Sequence, residues 1–444
     1  MGIFDALTAA VSGLQAQSYA LQNISGNIAN SQTVGYKEIE TAFTALVSQA
    51  ALNQQTAGGV FAGSTATNDV QGTIQNESTT TDMAVEGNGW FVVAQPSGNS
   101  GTQQTFSGVN DYTRRGDFQM NSSGYLVNGA GYYLMGSPLN PATGLPTSST
   151  PQVLQFNNNF LPAQATTTID YAANLPSSPS VSYDASKWTG TNPLDTGAGT
   201  VTAADASTFT SQSLDGGSIT SYDSLGNPVN VQYRWMETSS SSGGNSWQLF
   251  YQSNTSATGS QVAWQNVGST FSFDTSGKLS SVTPPLAAQN ITVNGDTIPN
   301  VSLNIPTGAL TQFAASGGAA QVNNLTQNGF AAGSLQSLSV DKGQIVGSFS
   351  NGQSIALADV TLANFNGENQ LQALNGEAYA ATPESGSPLY SGTGQVVGSA
   401  LEASNVDIAT QFSQLIVAQQ AYSANAKVMT TANQMIQSLL TVIQ

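Results

Sequence analysis

Neither cysteine nor histidine occurs in the 444 residues. The first absence excludes disulfide staples, thiolate zinc sites and thiol nucleophiles, and the second excludes every catalytic arrangement that turns on an imidazole. Charge is scarce as well: 8 basic and 25 acidic residues make up 7% of the chain, against about 25% in an average soluble protein. The net charge of −17, with basic residues scattered apart from Arg114 and Arg115, opposes binding to a phosphate backbone, so nucleic acid is not an expected partner. No apolar run reaches the roughly eighteen residues of a membrane-spanning helix, so no membrane insertion is expected. Lys37 is the first basic residue, and no apolar core followed by a small-residue cleavage site precedes it. Export through an ordinary cleaved signal is therefore not expected.

Ser, Thr, Asn, Gln and Gly supply the polarity instead, a palette of extracellular β structure and fibres. The two ends differ from the middle. Leu7, Leu14, Leu21 and Ile28 recur every seven residues at the start, and Leu401, Ile408, Leu415, Tyr422, Met429, Ile436 and Ile443 do so at the finish. That spacing keeps one face of a helix apolar. Coiled coils ordinarily solvate their flanks with Glu and Lys, yet no charge falls between Ala6 and Tyr36, and only Lys427 carries one between Ile408 and Gln444. Flanks of Gln, Asn, Ser, Thr and Ala suit a helix surrounded by other helices, so crowded packing between several chains is predicted. The plainer alternative is a helix pair within one chain.

Energetics favour assembly. Burying four large side chains contributes roughly 6–12 kcal/mol, while ordering some thirty residues costs about 1–2 kcal/mol each before hydrogen bonds are credited. Both ends are accordingly predicted to be disordered in a lone chain and to order on assembly. Gly13 and Gly26 weaken a helix but permit close backbone approach.

The first helix is expected to end near Asn30, and a weaker helical segment, Ile39 to Leu52, to lead into a glycine-rich connector over 36–69. From Val70 onward the period becomes that of strands, with turns such as Asn88-Gly89 and Asn128-Gly129. An inner β domain is read over 70–150 together with 328–400, and an outer inserted one over 151–327. The expected core of the outer domain, by residue type and alternation, is Phe156, Ile169, Tyr171, Val231, Tyr233, Trp235, Trp247, Leu249, Phe250 and Tyr251. Asn294-Gly295 signals a two-residue hairpin, and residues 186–215 read as a long loop or a small subdomain. The resulting fold class is mainly β with terminal α-helices: a nested multidomain chain whose ends, 1–35 and 401–444, form a coiled-coil core.

Asp215, Asp223, Asp274 and Asp341 sit near Asn and Gly, but none belongs to a calcium-loop pattern, and turn formation is the better reading. No pair of carboxylates is singled out for glycoside hydrolysis, although five Trp are present. No phosphate-cradling loop occurs. No catalytic, metal or cofactor site is expected.

Two segments carry a resemblance. Asn27-Ile-Ala-Asn30-Ser-Gln-Thr33-Val-Gly35-Tyr36-Lys37 resembles the N-terminal signature of the bacterial flagellar rod and hook axial proteins. Ser404-Asn405-Val406-Asp407, followed by the stretch from Ala418 through Asn425 to Lys427, resembles the family's C-terminal signature; Gln420 stands where an Arg is common. The segments Ile219 to Asn227 and Gly329 to Gly352 resemble the hook branch of the family, whereas residues 186–215 match nothing in it. The resemblance implies a structural, non-enzymatic subunit of the flagellar hook, a curved helical homopolymer that transmits torque between rod and filament. It further implies passage through the flagellar export apparatus to the cell exterior, and a distal rod protein, hook cap and hook-filament junction protein as partners. A rod or junction protein is the rival within the family, and a secreted polysaccharide-binding protein or hydrolase the rival outside it. The assembly core would then be Leu7, Leu14, Leu21, Ile28, Ile408, Leu415, Tyr422, Met429 and Ile436. Asn27, Asn30, Thr33, Gly35, Tyr36, Lys37, Ser404, Asn405, Asp407 and Asn425 would form the signature and the joint into the connector.

Overall fold

In the computed structural model, which describes residues 3–46, 50–51, 54–55, 59–100, 103–141, 143–156, 160–189, 199–241, 244–283, 286–390 and 394–443, both ends of the chain are helical. Helix α1 spans Ile3–Ala29, a short α2 spans Ala206–Gln212, and α3 spans Ile408–Ile443. Nearly all other regular structure is strand. The chain divides into two compact units: residues 1–159, 335–348 and 354–444 form the first, and residues 160–334 with 349–353 the second.

In the first unit α1 and α3 run antiparallel, since Asn27 near the end of α1 bonds Gln411 at the start of α3, while Gly13 faces Asn425. The ends are thus helical within one chain, where disorder was predicted. Their contact is made by small and amide side chains: Ala10, Gly13, Ala16, Ala20, Ile24 and Asn27 are buried on α1, and Gln411, Ala418 and Ala432 on α3, with Asn425 half-buried among them. Residues 411, 418, 425 and 432 are seven apart, so the heptad period holds but its phase within the chain belongs to small residues. A Cβ on Gly13 would come within 2.8 Å of the Asn425 amide nitrogen, so glycine sets the approach of the two axes there; around Gly26 the space is open.

The connector contains a strand pair, not a second helix. Ile39–Ala45 pairs antiparallel with Val60–Ala66, from Ile39↔Ala66 to Ala45↔Val60. Thr41, Phe43 and Thr44 favour extended backbone, and the Asn27 side chain ties both the N–H and the carbonyl of Ile39, which fixes the strand's start against α1. Leu52, the expected helix end, lies outside the described residues. Leu401 belongs to a strand, Ala400–Glu402, which pairs with Ile74–Asn76; the helical stripe begins only at Ile408, after the irregular segment Ser404 to Asp407.

The main sheet of this unit runs, in spatial order, Ser354–Val360, Tyr133–Pro138, Trp90–Ser100, Gln103–Thr113, Ala378–Ala380 and Gln372–Ala373. The continuous apolar run at Trp90-Phe91-Val92-Val93 is buried on both faces. Trp90 and Val92 pack with Tyr112, Phe365 and Tyr379, and Phe91 meets Phe118 edge-on. Residues 152–153 pair with the Tyr133–Pro138 strand, and Leu154 and Phe156 are buried. The boundary expected at 150/151 therefore falls inside the first unit, and the division comes at 159/160. Two short antiparallel pairs, Met83–Glu86 with Gln395–Gly398 and Ile74–Asn76 with Ala400–Glu402, return the C-terminal segment alongside the N-terminal one.

The second unit is a sandwich. A mixed five-stranded sheet centred on Thr168–Pro176 faces an antiparallel six-stranded sheet built around Pro228–Ser241, Gly244–Gln252 and Val262–Phe273. Ile169 and Tyr171 from one sheet interleave with Tyr233, Trp235, Trp247, Leu249 and Tyr251 from the other. On the outer face of the six-stranded sheet, α2 inserts Phe209 against Phe250 and Trp264. The stretch 186–215 thus contributes α2 and the edge strand Thr200–Thr202, while 190–198 lie outside the described residues. Asn294 and Gly295 adopt φ of +54° and +99° in the tight turn joining Gln289–Val293 to Asp296–Asn304, as a two-residue hairpin requires.

Candidate functional site

The two signature segments meet where α1 ends and α3 begins. Asn27 is buried, and its side-chain amide is saturated: Nδ2 donates to the Ile39 carbonyl (3.0 Å) and to Gln411 Oε1 (3.1 Å), while Oδ1 accepts from the Ile39 N–H (3.0 Å) and the Tyr36 hydroxyl (3.1 Å). Gln411 passes the network on to Glu38 (2.6 Å). Asn30 closes the end of α1, its Nδ2 donating to the Gly26 carbonyl (2.9 Å) and its Oδ1 accepting from the Thr33 hydroxyl (3.2 Å). Gly35 turns the chain at φ +71°, donates its N–H to the Glu402 carbonyl (2.8 Å), and lies so close to the backbone just past the strand Gln103–Thr113 that a Cβ would stand 2.6 Å from the Arg115 nitrogen.

Lys37 is the centre of the joint. It is 2% exposed; its Nζ donates to Glu402 Oε1 (2.6 Å) and to the Val70 carbonyl (2.6 Å). Arg114, equally buried, reaches the other carboxylate oxygen of Glu402 (3.2 Å) and the Gly87 carbonyl (3.0 Å), with its guanidinium 5.3 Å from the centroid of the Trp90 ring. Gly72 N–H gives Glu402 a third donor (2.8 Å). One fully buried carboxylate thus faces two buried cations. Burial pulls the Lys37 ammonium below its ordinary value, against the opposing pull of Glu402. Burial likewise pushes the Glu38 carboxyl up, against the Gln411 hydrogen bond.

From the C-terminal side, Asn405 Oδ1 accepts the Glu38 N–H (2.7 Å) and its Nδ2 reaches Thr67 Oγ1 (3.2 Å). Ser404 Oγ accepts the Val406 N–H (3.3 Å). Asp407 caps α3 by accepting the Thr410 N–H (2.7 Å), which holds its carboxyl below the usual range. Asn425 stands apart from this joint, about halfway along α3 against Gly13.

The heptad residues stand elsewhere. Leu7, Leu14, Leu21, Ile28, Leu415 and Ile436 are half-buried along the edges of the helix pair, and Ile408, Tyr422 and Met429 are exposed. Glu402, Arg114, Gln411 and Trp90 were not anticipated as parts of the joint. A signal for the first two exists: charges are so few that an acidic residue two positions before Ser404 and an adjacent Arg pair within strand sequence are conspicuous. The candidate calcium ligands serve turns: Asp215, Asp223 and Asp274 accept backbone N–H groups two residues on. Four of the five Trp, at 90, 235, 247 and 264, are buried.

Four family descriptions match successive parts of the chain: "Flagella basal body rod protein" over 7–37, "Flagellar hook protein FlgE/F/G D1 domain" over 84–167, "Flagellar basal body protein FlaE D2 domain" over 187–330, and "Flagellar basal body rod FlgEFG protein C-terminal" over 397–442. The flagellar hook protein FlgE of Brucella suis is 30% identical over 448 residues, covering 99% of each chain. The chain belongs to the flagellar hook protein family. FlgE of Escherichia coli, 31% identical over 98% of this chain and 99% of its own, agrees. The crystal structure of Helicobacter pylori hook protein FlgE2 shares the fold, with a TM-score of 0.50 at 14% identity, over 74% of this chain and all of that one. As a hook-family member the chain is a structural subunit of the flagellar hook, and both signature segments, 27–37 and 404–407, lie in or just beside its matched rod-type ends.

Proposed function

We propose that this subunit polymerises through α1 and α3 into a curved helical tube that transmits torque from rod to filament, with the two β-rich units carried on that shaft as a bending outer layer. The observation that carries the reading is the unspent apolar surface of the helix pair. Within one chain the pair buries small residues, while Phe412, Ile416, Val417, Tyr422, Val428 and Met435 along α3 stand exposed on a helix with a single charge. Such a surface belongs against other helices. A contact that joins unlike faces of successive copies and does not close generates a helical polymer.

The joint between Asn27 and Asp407 then transmits force, since it ties the ends of both helices to the β structure through saturated hydrogen bonds and a buried ion cluster. In this reading the subunit has no enzymatic activity and leaves the cell through the flagellar export apparatus without signal cleavage. It is capped during growth, and meets the distal rod protein at one end of the tube and a junction protein at the other.

The test is Leu415→Asp, which puts an unpaired charge between packed helices. Electron microscopy is expected to show tubes from the unmodified chain and none from the variant, while tryptophan fluorescence reports both β units folded. Normal tubes from Leu415→Asp, or a strictly solitary unmodified chain, overturn the reading.

A further inference from the structure

Beside the helix pair runs a groove of about 500 Å³ bounded by α1, the strand Ile39–Ala45 and the first turns of α3. Ala20, Ile24, Ile39, Phe43, Val417 and Ala421 give it an apolar floor, and Glu40 stands at its rim. Phe43 and Val417 are 48% and 65% exposed, so the floor is open to an occupant.

Charge selects that occupant. In the helical end of the molecule, leaving aside Asp5 at the start of α1, Lys37 is buried with Glu402, Glu38 is held by Gln411, and Asp407 caps α3. Glu40 and Lys427 remain, both exposed and neither in an ion pair among the described residues. The negative charge of Glu40 also falls on Glu38, whose half-buried carboxyl it and Asp407 push further up; an incoming ammonium relieves that repulsion. Lys427 sits beside a ridge of Ala424, Val428, Thr431 and Met435, spaced four, three and four residues apart and exposed throughout. Such a ridge is the knob row that a neighbouring groove accepts.

We infer that the groove of one copy receives the Ala424–Met435 ridge of a second copy, with Lys427 of the second beside Glu40 of the first. The inference rests on the assembly reading above and specifies its contact. Within one chain the two charges do not meet: Glu40 shares the groove with Ser413 to Ala421, six to fourteen residues before Lys427, or about 9–21 Å along the helix. A copy displaced by about 10–20 Å along the shaft brings its Lys427 level with Glu40. The same offset repeated from copy to copy is heterologous and open-ended.

The absence of native cysteine makes the test clean. Chains carrying Glu40→Cys are mixed with differently sized, tagged chains carrying Lys427→Cys, assembled into tubes and oxidised. A mixed disulfide dimer is expected from the tubes and not from the same chains kept dilute. Tubes without that dimer overturn the seat and leave assembly through the terminal helices standing, whereas an unmodified chain that forms no tubes overturns both. In parallel, Glu40→Lys or Lys427→Glu alone is expected to raise the concentration at which tubes appear, by about 1.4- to 5-fold at low salt, and the double exchange to restore it. Equal thresholds for all four chains overturn the charge contact.

Discussion

Replacing Glu402 by Gln tests what holds the joint together. The carboxylate is fully buried and is the shared partner of Lys37 at 2.6 Å, Arg114 at 3.2 Å and the Gly72 N–H at 2.8 Å. Gln keeps the shape and removes the charge, which leaves two buried cations with backbone carbonyls, the Trp90 ring and only the more distant Glu368 carboxylate around them. Removing one partner of a buried pair costs about 3–5 kcal/mol, and at about 2–4 °C per kcal/mol for a unit of this size the transition of the first unit falls by about 6–20 °C. Scanning calorimetry of the full chain reads this, while the second unit, which holds Trp188, Trp235, Trp247 and Trp264, keeps its own fluorescence transition. Lys37→Met is expected to cost less, because burial already opposes the Lys37 charge and Arg114 with Gly72 still neutralise Glu402. The pH dependence has a definite sign. A Lys whose folded value is lowered binds fewer protons folded than unfolded between that value and about 10.4, so its contribution to stability rises with pH across that window. A shift under about 2 °C for Glu402→Gln, or a larger one for Lys37→Met, refutes this account of the cluster.

Two further outcomes follow from the same geometry. Gly35→Ala is expected to destabilise the first unit by about 1–3 kcal/mol from its left-handed backbone alone, with the overlap against Arg115 adding to it; Gly26→Ala, in a helix with open space around it, is expected to stabilise by about 0.5–1 kcal/mol, and equal denaturant midpoints for the two would contradict both assignments. In the second unit burial raises the phenol values of Tyr171, Tyr233 and Tyr251. Their stabilisation is complete below the unfolded value near pH 10 and is lost as pH rises through the folded ones. The guanidinium midpoint followed by tryptophan fluorescence is expected to drop between pH 9 and pH 11; a flat midpoint contradicts the burial of these hydroxyls.

What could be read in the sequence followed local rules. Alternation and aromatic content marked Tyr171, Tyr233, Trp235 and Trp247 as core because a sandwich face imposes a period of two on each strand. Asn294-Gly295 marked its turn because only such residues take two positive φ values cheaply. The joint was half legible. Asn27, Gly35, Lys37, Asn405 and Asp407 stood out through motif resemblance, but Glu402, Arg114 and Gln411 join them through pairings that span 288 to 384 residues and that no local pattern encodes. The segment Ile39 to Ala45 was misread as helix because its apolar spacing fits either period over so short a run. The side chain of Asn27, which bonds both backbone groups of Ile39, decides the matter from another element.

The displaced phase of the heptads has a physical consequence. A seven-residue period on a helix with a single charge fixes how often a stripe recurs but not which stripe meets which partner, and α3 carries two. Gln411, Ala418, Asn425 and Ala432 turn toward α1, where small size and amide bonding allow close approach at little gain in buried apolar area. Leu415, Tyr422, Met429 and Ile436 lie four residues on, at the edge of that contact or outside it. A pair closed by alanines gains far less than the roughly 1.5–3 kcal/mol of each buried large side chain, so the lone pair is weakly held and its strongest apolar groups stay free. Large apolar residues left at free positions call for something that covers them. The proposed tube does so with copies of the same chain, and it makes protection of α1 and α3 against hydrogen exchange rise on assembly while the β units change little.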